Sequence, residues 1–272
     1  MKRILAVLLA GLMLLSLTAC GGKDEVMKRG VLEGSGMDSI HSEEHSAHIN
    51  VPNTTIEMVN YSNLSSALMD LESGKIIGLG IEGCVADYIV ARNENVVAFN
   101  YGKTEAMTNF SMMTMDSNKE VYDILNNAIK DMKADGTLDS LISNELKAYI
   151  ESDPEAKDLP KFDGARTIKI GVTGDVPPMD YVAANGKAAG FNIALLTEIA
   201  NRAQVNIELV QIDSAARATA LSTEKVDAVF WAKSVSCDSC DNAVFAEEIE
   251  GTLVTETYFC AAAAILMPKS DK

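Results

Sequence analysis

The sequence predicts an α/β fold in which short strands alternate with helices. One such run covers residues 168–200, which are typical of a strand, a Pro-rich loop, a short hairpin and then a helix. A second run covers residues 56–99, where strands at 56–59, 76–81 and 96–99 flank helices at 64–72 and 85–91. Alternation of this kind indicates a mostly parallel sheet. The hydrophobic fraction of 47% is sufficient to build real cores.

The run at 168–200 also predicts a binding crevice. Alternating apolar residues at 168–172 form the strand, Pro177-Pro178 holds a rigid loop, and Asn185-Gly186 is a two-residue turn signal. In an open α/β sheet, ligands bind beyond the carboxyl ends of the strands. We therefore expect Asp175, Met179 and Tyr181 at such a crevice; the alternative is an ordinary α/β unit without a ligand.

The remaining chain continues the alternation. Amphipathic or apolar spacing predicts helices at 121–132, 138–149 and 215–222, and strands or extended runs at 108–115, 207–212, 226–231, 252–258 and 261–267. Residues 151–166 are charged and contain prolines, which is typical of a linker.

The N-terminus has the features of a lipoprotein signal. Residues 1–20 combine a basic start with an apolar run too short to cross a bilayer comfortably, and they end in a lipobox at Cys20. We expect lipidation of Cys20, with 21–28 as a polar tether; the alternative is a plain signal peptide with a chance cysteine. The formal net charge of −16 disfavours partners that are nucleic acids or anionic membrane surfaces.

Residues 168–200 resemble the start of the mature extracellular solute-binding proteins, family 3 (polar amino-acid type), of ABC transporters. The resemblance rests on the Asp after the first strand, the Pro-Pro loop, the Asn-Gly turn and the Gly190-Phe191 helix start, although Asn192 and Ala194 replace the usual acids. The run YSNLSSALMDLESGKIIGLGIE resembles the family's second lobe, and LNNAIKDMKADGTLDSLI resembles its C-terminal signature. The resemblance implies a type II periplasmic-binding-protein-like fold, with two α/β lobes joined by a two-strand hinge.

These family-like segments occur in circularly permuted order. The expected second lobe is residues 27–105 plus 261–272, the hinge 106–110 and 257–260, and the first lobe 111–256, with 151–166 joining the family's usual termini. The alternative is two partial copies that each pair with another chain. We favour one permuted unit because each expected element occurs once.

The resemblance also implies a set of ligand-binding residues. Glu82 occupies the position of the Asp that binds the ligand's α-amino group, and Ser35 and Gly36 fall in the ligand loop. Ser234 and Ser236 keep two hydroxyls, but Ser239 replaces the Arg that binds the α-carboxylate. The remaining expected residues are Asp175, Tyr181 and Arg217. Arg217 matches an Arg that contacts the ligand side chain in family members that bind acidic amino acids. The alternative is that Arg217 is a solvated residue on the surface of a helix.

Two further clusters have several interpretations. Cys237 and Cys240 form a CxxC pair, for which we rank a disulfide first, metal binding second and catalysis third. His41, His45 and His48 share one face if their segment is helical, which suits either a metal or a merely polar surface.

The function that the sequence favours is a lipid-anchored, extracytoplasmic solute-binding protein of an ABC importer. We expect a monomer that captures a small polar solute, an amino acid or amine, and presents it to a membrane permease, with no cofactor, catalysis or nucleic-acid partner. The alternatives are a metal-handling lipoprotein that uses the histidine and cysteine clusters, an enzyme in the same cleft, and a sensor or degenerate paralogue.

Overall fold

The computed structural model describes residues 25–33, 54–100, 107–152, 156, 158–236, 244–245 and 249–269. The strands are β1 (Glu25–Leu32), β2 (Thr54–Tyr61), β3 (Gly78–Glu82), β4 (Val96–Asn100), β5 (Met107–Met115), β6 (Thr167–Val172), β7 (Asp175–Val176), β8 (Asp180–Val182), β9 (Ala188–Ala189), β10 (Asn206–Gln211), β11 (Ala228–Ser236), β12 (Val244–Phe245), β13 (Thr252–Val254) and β14 (Phe259–Pro268). The helices are α1 (Leu64–Glu72), α2 (Gly83–Val90), α3 (Lys119–Ala134), α4 (Thr137–Ser140), α5 (Lys147–Ser152), α6 (Phe191–Ala203) and α7 (Arg217–Ser222). The predicted α/β class is confirmed.

Within the described residues, eleven strands form one sheet, whose main path runs β10-β6-β11-β5-β14-β3-β1-β2. We call β1 to β4 with α1 and α2 the β2 side, and β5 to β13 with α3 to α7 the β10 side. On the β2 side, β1 pairs parallel to both β2 and β3. On the β10 side, β6 pairs parallel to both β10 and β11. Each side is therefore a parallel core, as the alternation of strands and helices predicts.

Strand β14 connects the two sides. Its first residues, Phe259 to Ala262, pair antiparallel with β5, and residues 263–266 pair with β3. The edge strand β4 also pairs with β14, over residues 264–268. One continuous strand thus passes from the β10 side to the β2 side, close to where the sequence places the hinge.

The helices pack by the faces that their spacing predicts. In α3, Val121, Leu125, Ile129 and Met132 are each fully buried. Burial of a side chain of this size typically stabilises a fold by about 1.5–3 kcal/mol. The expected helix at 138–149 consists of α4, a π-helical segment at Leu141–Leu146, and α5.

The hairpin predicted at Asn185-Gly186 is present. Gly186 has a φ of +78°, a left-handed conformation that glycine adopts without a Cβ penalty. Its amide donates to the Ala183 carbonyl at 2.8 Å, which closes the turn between β8 and β9. The turn fixes the register of the small sheet β7-β8-β9.

Most boundaries differ by a few residues from those expected, and three of the differences are instructive. Strand β3 begins at Gly78 rather than at residue 76, and β11 begins at Ala228 rather than 226 because the Val226 amide donates to the Ala220 carbonyl in a turn. The extended run expected at 252–258 forms a strand only at Thr252–Val254. Beyond it, the Thr255 amide still donates to the Met112 carbonyl at 2.9 Å, but the Met112 amide donates to the Thr255 hydroxyl at 2.9 Å, so a side chain replaces one of the two backbone bonds.

The predicted linker packs against the β10 side. The Phe162 amide donates to the Asn206 side-chain oxygen at 2.8 Å, and the Asn206 amide group donates back to the Phe162 carbonyl at 3.0 Å. One large apolar cluster contains buried residues of both sides, including Leu71, Leu79 and Leu196. No helix in the described ranges is both long enough and apolar enough to cross a membrane.

Candidate functional site

A small cavity of about 50 Å³ lies where the β2 side meets the β10 side. A volume of this size has room for about three or four water molecules. We call it the central cavity, and its lining combines apolar rings with charged and amide groups from both sides: Leu32, Glu82, Phe110, Val176, Met179, Asp180, Asn192, Ser214, Arg217, Phe230, Trp231 and Tyr258.

Asp180 is a buried polar group of the cavity that accepts four hydrogen bonds. Its Oδ1 accepts from the Thr173 amide at 2.8 Å, the Thr173 hydroxyl at 2.6 Å and the Gly174 amide at 2.8 Å. Its Oδ2 accepts from Asn192 Nδ2 at 3.0 Å. The side chain is only 4% exposed. Four donors of this kind stabilise a buried carboxylate, because a charge without partners is very costly to bury.

Asn192 extends this network towards Tyr258. The Tyr258 hydroxyl donates to Asn192 Oδ1 at 3.2 Å, so the Asn192 side chain bridges Tyr258 and Asp180. Burial, and then the charge of Asp180, raise the pKa of Tyr258 well above its usual range. Tyr258 is therefore a neutral hydrogen-bonding group at any ordinary pH.

Gly190 sets the position of Asn192. The first amides of α6 donate to the preceding loop: Phe191 N to the Pro178 carbonyl and Asn192 N to the Met179 carbonyl, each at 2.8 Å. Gly190 lies at a φ of +111°, and a Cβ there would be 2.4 Å from the Met179 carbonyl oxygen. Only glycine allows the helix start to approach this loop so closely.

Arg217 and Glu82 bring opposite charges to the same cavity from opposite sides. Glu82 ends β3 on the β2 side and is 5% exposed. Arg217 begins α7 on the β10 side, where burial lowers its pKa while the charges of Asp180, Glu82 and Asp175 act to raise it. An arginine stays protonated in a protein, so the cavity contains a cation close to several carboxylates.

Two hydrogen bonds to oxygen acceptors join the sides at the edge of this cavity. The Ser214 hydroxyl donates to the Glu33 carbonyl at 2.7 Å, and the Leu64 amide donates to Asp175 Oδ2 at 3.3 Å. Partial burial is the main cause that raises the pKa of Asp175, although the Leu64 amide opposes it. Asp175 thus contacts the β2 side directly, from the end of the strand region where the sequence predicts a crevice.

The structure brings some of the predicted ligand-binding residues together. Glu82 and Arg217 line the central cavity, and Asp175 lies beside it. Tyr181 does not line it; its ring lies 6.0 Å from that of Tyr88 and 6.3 Å from that of Tyr149, between centroids. Side chains alternate along a strand, so the neighbouring Asp180 enters the cavity in its place.

The other predicted residues are placed only in part or not at all. Ser234 and Ser236 lie in β11, opposite Asn109 and Met107 of β5. Ser35, Gly36, Cys20, Cys237, Cys240, His41, His45 and His48 lie outside the described residues. Among the residues that are described, no three His, Cys, Asp or Glu side chains form a group able to hold a metal.

Sequence reasoning did not select Asp180, Asn192 or Tyr258. A signal existed for each: Asp180 precedes Tyr181 in a strand, Asn192 occupies a position where the family has an acid, and Tyr258 lies in the TETYF run. The alternation in β8 was the usable clue, because it places Asp180 and Tyr181 on opposite faces.

The chain is similar in sequence to one family. The profile of the bacterial extracellular solute-binding proteins, family 3, matches residues 168–258. The predicted resemblance is confirmed. The match covers the hairpin, α6, Arg217 and Tyr258, which supply most of the cavity wall from the β10 side. A ligand-binding role follows from this match. No curated protein sequence matches the chain.

Several solved structures resemble it at low identity. The ligand-binding component of an ABC-type import system from Staphylococcus aureus, with zinc bound, is 12% identical over 90% of this chain, with a TM-score of 0.48. This chain spans 66% of that protein's length. The OxyR regulatory domain from Pseudomonas aeruginosa is 8% identical over 92% of this chain and 90% of its own, with a TM-score of 0.46. The GluR0 ligand-binding core with L-glutamate is 12% identical over 92% of this chain and 87% of its own, with a TM-score of 0.40.

Proposed function

We propose that this protein captures a small polar solute between its β2 and β10 sides and delivers it to an ABC permease in the membrane. The observation that carries the proposal is the central cavity, where buried carboxylates from both sides, Glu82 and Asp180, share one space with Arg217. Polar groups from two sides of a flexible junction can close on a solute and exclude water.

The proposed solute carries an amine. Among the described residues of the lining, the two carboxylates Glu82 and Asp180 outnumber the one cation Arg217, so this part of the cavity favours a cationic group. The Glu82 carboxylate accepts hydrogen bonds from the ammonium group of the solute, because Glu82 occupies the position at which the family has the Asp that binds the ligand's α-amino group. The usual carboxylate-binding Arg is replaced by Ser239, so an amine without a free α-carboxylate suits the site at least as well as an ordinary amino acid.

The proposed architecture is one permuted unit. Residues 111–256 form one lobe and residues 27–105 with 261–272 the other, and crossings at 106–110 and 257–260 join them. The passage of β14 from β5 to β3 supports this division. The match of the family profile to residues 168–258, late in the chain, supports the permuted order.

The proposed location is outside the cytoplasm, on a lipid anchor. The signal at 1–20 and the lipobox cysteine Cys20 support it. Two acyl signals anchor a protein durably, whereas a single chain binds membranes only weakly. We propose that the protein acts there as a monomer that meets its permease at the membrane surface.

A thermal-shift screen against amino acids and amines tests the proposal. A solute present at about 100 times its Kd stabilises the native state by about 2.7 kcal/mol, which raises the Tm by about 5–11 °C for a chain of this size. We expect such a shift for one or a few amine-bearing compounds. If no amino acid, amine or other polar solute shifts the Tm, the proposed capture of a solute is wrong.

A further inference from the structure

Arg217 brings a positive charge to the central cavity from the β10 side, and the residue itself is only partly buried. It lines the central cavity together with Asp180 and Glu82, whose side chains are 4% and 5% exposed. Asp175 lies near enough for its charge to act on the guanidinium as well. Among the described residues two carboxylates line this cavity, and Arg217 is the cation that lines it with them.

The space beside this cation is small. Its volume of about 50 Å³ leaves space for a few waters, not for an additional amino acid. The bond from Ser214 to the Glu33 carbonyl joins the two sides three residues before Arg217. The bond from Leu64 to Asp175 joins them at another carboxylate of the cluster.

We propose that Arg217 is a built-in occupant of the solute site. Its guanidinium holds the place that the cationic group of a bound solute takes, and a solute binds by displacing it. The class of ligand that follows is a guanidinium or alkylammonium cation, because the vacated place is bounded by carboxylates that a planar guanidinium pairs well with. This inference rests on the proposed function, since it concerns the same cavity.

Replacement of Arg217 by alanine tests the inference directly. Arg217→Ala removes the internal cation and leaves a guanidinium-sized space, so free guanidinium should bind there. We expect about 10 mM guanidinium chloride to raise the Tm of this variant by about 3–6 °C for a Kd near 1 mM, at a concentration far below the denaturing range. Wild-type protein should show a much smaller rise at this concentration, because its own Arg217 competes with free guanidinium for the site.

Three controls separate site binding from other effects. Urea has the shape of guanidinium without its charge, and sodium chloride at equal ionic strength supplies only screening; neither should stabilise Arg217→Ala. Arg202→Ala removes an arginine that pairs with Asp135 and Glu198 away from the cavity, and it should not respond to guanidinium.

The carboxylate is tested in a double variant. Arg217→Ala/Glu82→Gln should lose the guanidinium response, and it should be more stable than Arg217→Ala alone because one unpaired charge is gone. If Arg217→Ala does not fold, the double variant should fold, and failure of both contradicts the inference. Guanidinium that stabilises Arg217→Ala no more than urea or sodium chloride does also overturns it. A failure here leaves the thermal-shift screen of the wild-type protein unaffected, so the two proposals fail separately.

Discussion

The β10 side and the β2 side contribute to the central cavity in different ways. The β10 side builds a hydrogen-bonded wall in which Asp180 receives four donors and Asn192 relays to Tyr258. The β2 side contributes Leu32 and Glu82 at the ends of β1 and β3. Hydrogen bonds among its own residues hold the wall on the β10 side, whereas the β2 side contributes the carboxylate of Glu82.

Because of this difference, we expect the β10 wall to matter more for the stability of the fold and Glu82 to matter more for solute binding. A change in the β10 wall leaves several buried donors without an acceptor, which destabilises the fold itself. A change at Glu82 alters the charge that the β2 side presents to a solute or to Arg217. We therefore expect mutations on the β10 side to lower the free energy of unfolding, and mutations at Glu82 to act more on binding.

The largest expected effect is that of Asp180→Ala. Four donors would lose their acceptor: the Thr173 backbone amide and hydroxyl, the Gly174 backbone amide and the side-chain amide of Asn192. We expect the free energy of unfolding to fall by about 3–5 kcal/mol, as for other broken buried charge networks. Urea denaturation followed by circular dichroism measures it.

Glu82→Gln is the matched variant on the other side. It keeps the shape of the side chain and removes only its charge, so we expect a smaller loss of stability than for Asp180→Ala. If the two variants lose the same stability, the contrast between a fixed wall and a charged partner does not hold.

The next effect is that of Gly190→Ala, which tests how the wall is positioned. The new Cβ would lie 2.4 Å from the Met179 carbonyl oxygen, so α6 and the loop before it must separate. We expect a loss of about 2–4 kcal/mol in the free energy of unfolding. Gly186→Ala is the control: its φ is also positive, but nothing lies within 4 Å of the added Cβ, so only about 1 kcal/mol should be lost. Equal losses would show that backbone conformation, not the close approach, determines the effect.

The smallest effect concerns pH and Asp175. Burial raises the pKa of Asp175 in the folded state, so the folded protein holds this proton more tightly than the unfolded chain. The contribution of the group to stability is therefore full at low pH and is lost as pH rises through the folded pKa. Asp175→Asn keeps an acceptor for the Leu64 amide and removes the charge.

We expect Asp175→Asn to be more stable than wild type at neutral pH, with the difference shrinking as the pH falls towards about 4. Thermal denaturation across a pH series measures this difference. Asp163→Asn, which changes an exposed carboxylate, should show no comparable trend. A difference between Asp175→Asn and wild type that grows as the pH falls would reverse the assigned sign.

The sequence predicts the helices, strands and turns well because each of them depends mainly on residues that are close together in the chain. The apolar spacing of α3 places Val121 and Leu125 in the core, and Asn185-Gly186 forms the expected turn. The apolar alternation at 168–172 gives β6, and its end places Asp175 near the cavity. These features depend on neighbours in sequence.

The site was harder to predict because it depends on contacts between distant residues. Tyr258 and Asn192 are 66 residues apart, and Ser214 reaches Glu33 across 181 residues. The sequence predicts Tyr181 at the crevice, but the pleat of β8 places Asp180 in the cavity instead. Strand alternation shows that Asp180 and Tyr181 lie on opposite faces of β8. It does not show which of the two faces the cavity, because residues from distant parts of the chain form the rest of the cavity wall.

The central claim is that residues of both sides bind one solute, and calorimetry of the best ligand from the thermal-shift screen tests it most directly. The titration compares wild type, Glu82→Gln on the β2 side, and Arg202→Ala away from the cavity. Loss of a charge-assisted contact should weaken binding by about 10- to 1000-fold in Glu82→Gln, while Arg202→Ala keeps the wild-type Kd. Undiminished affinity in Glu82→Gln would contradict the claim that the β2 side contributes its carboxylate to the solute.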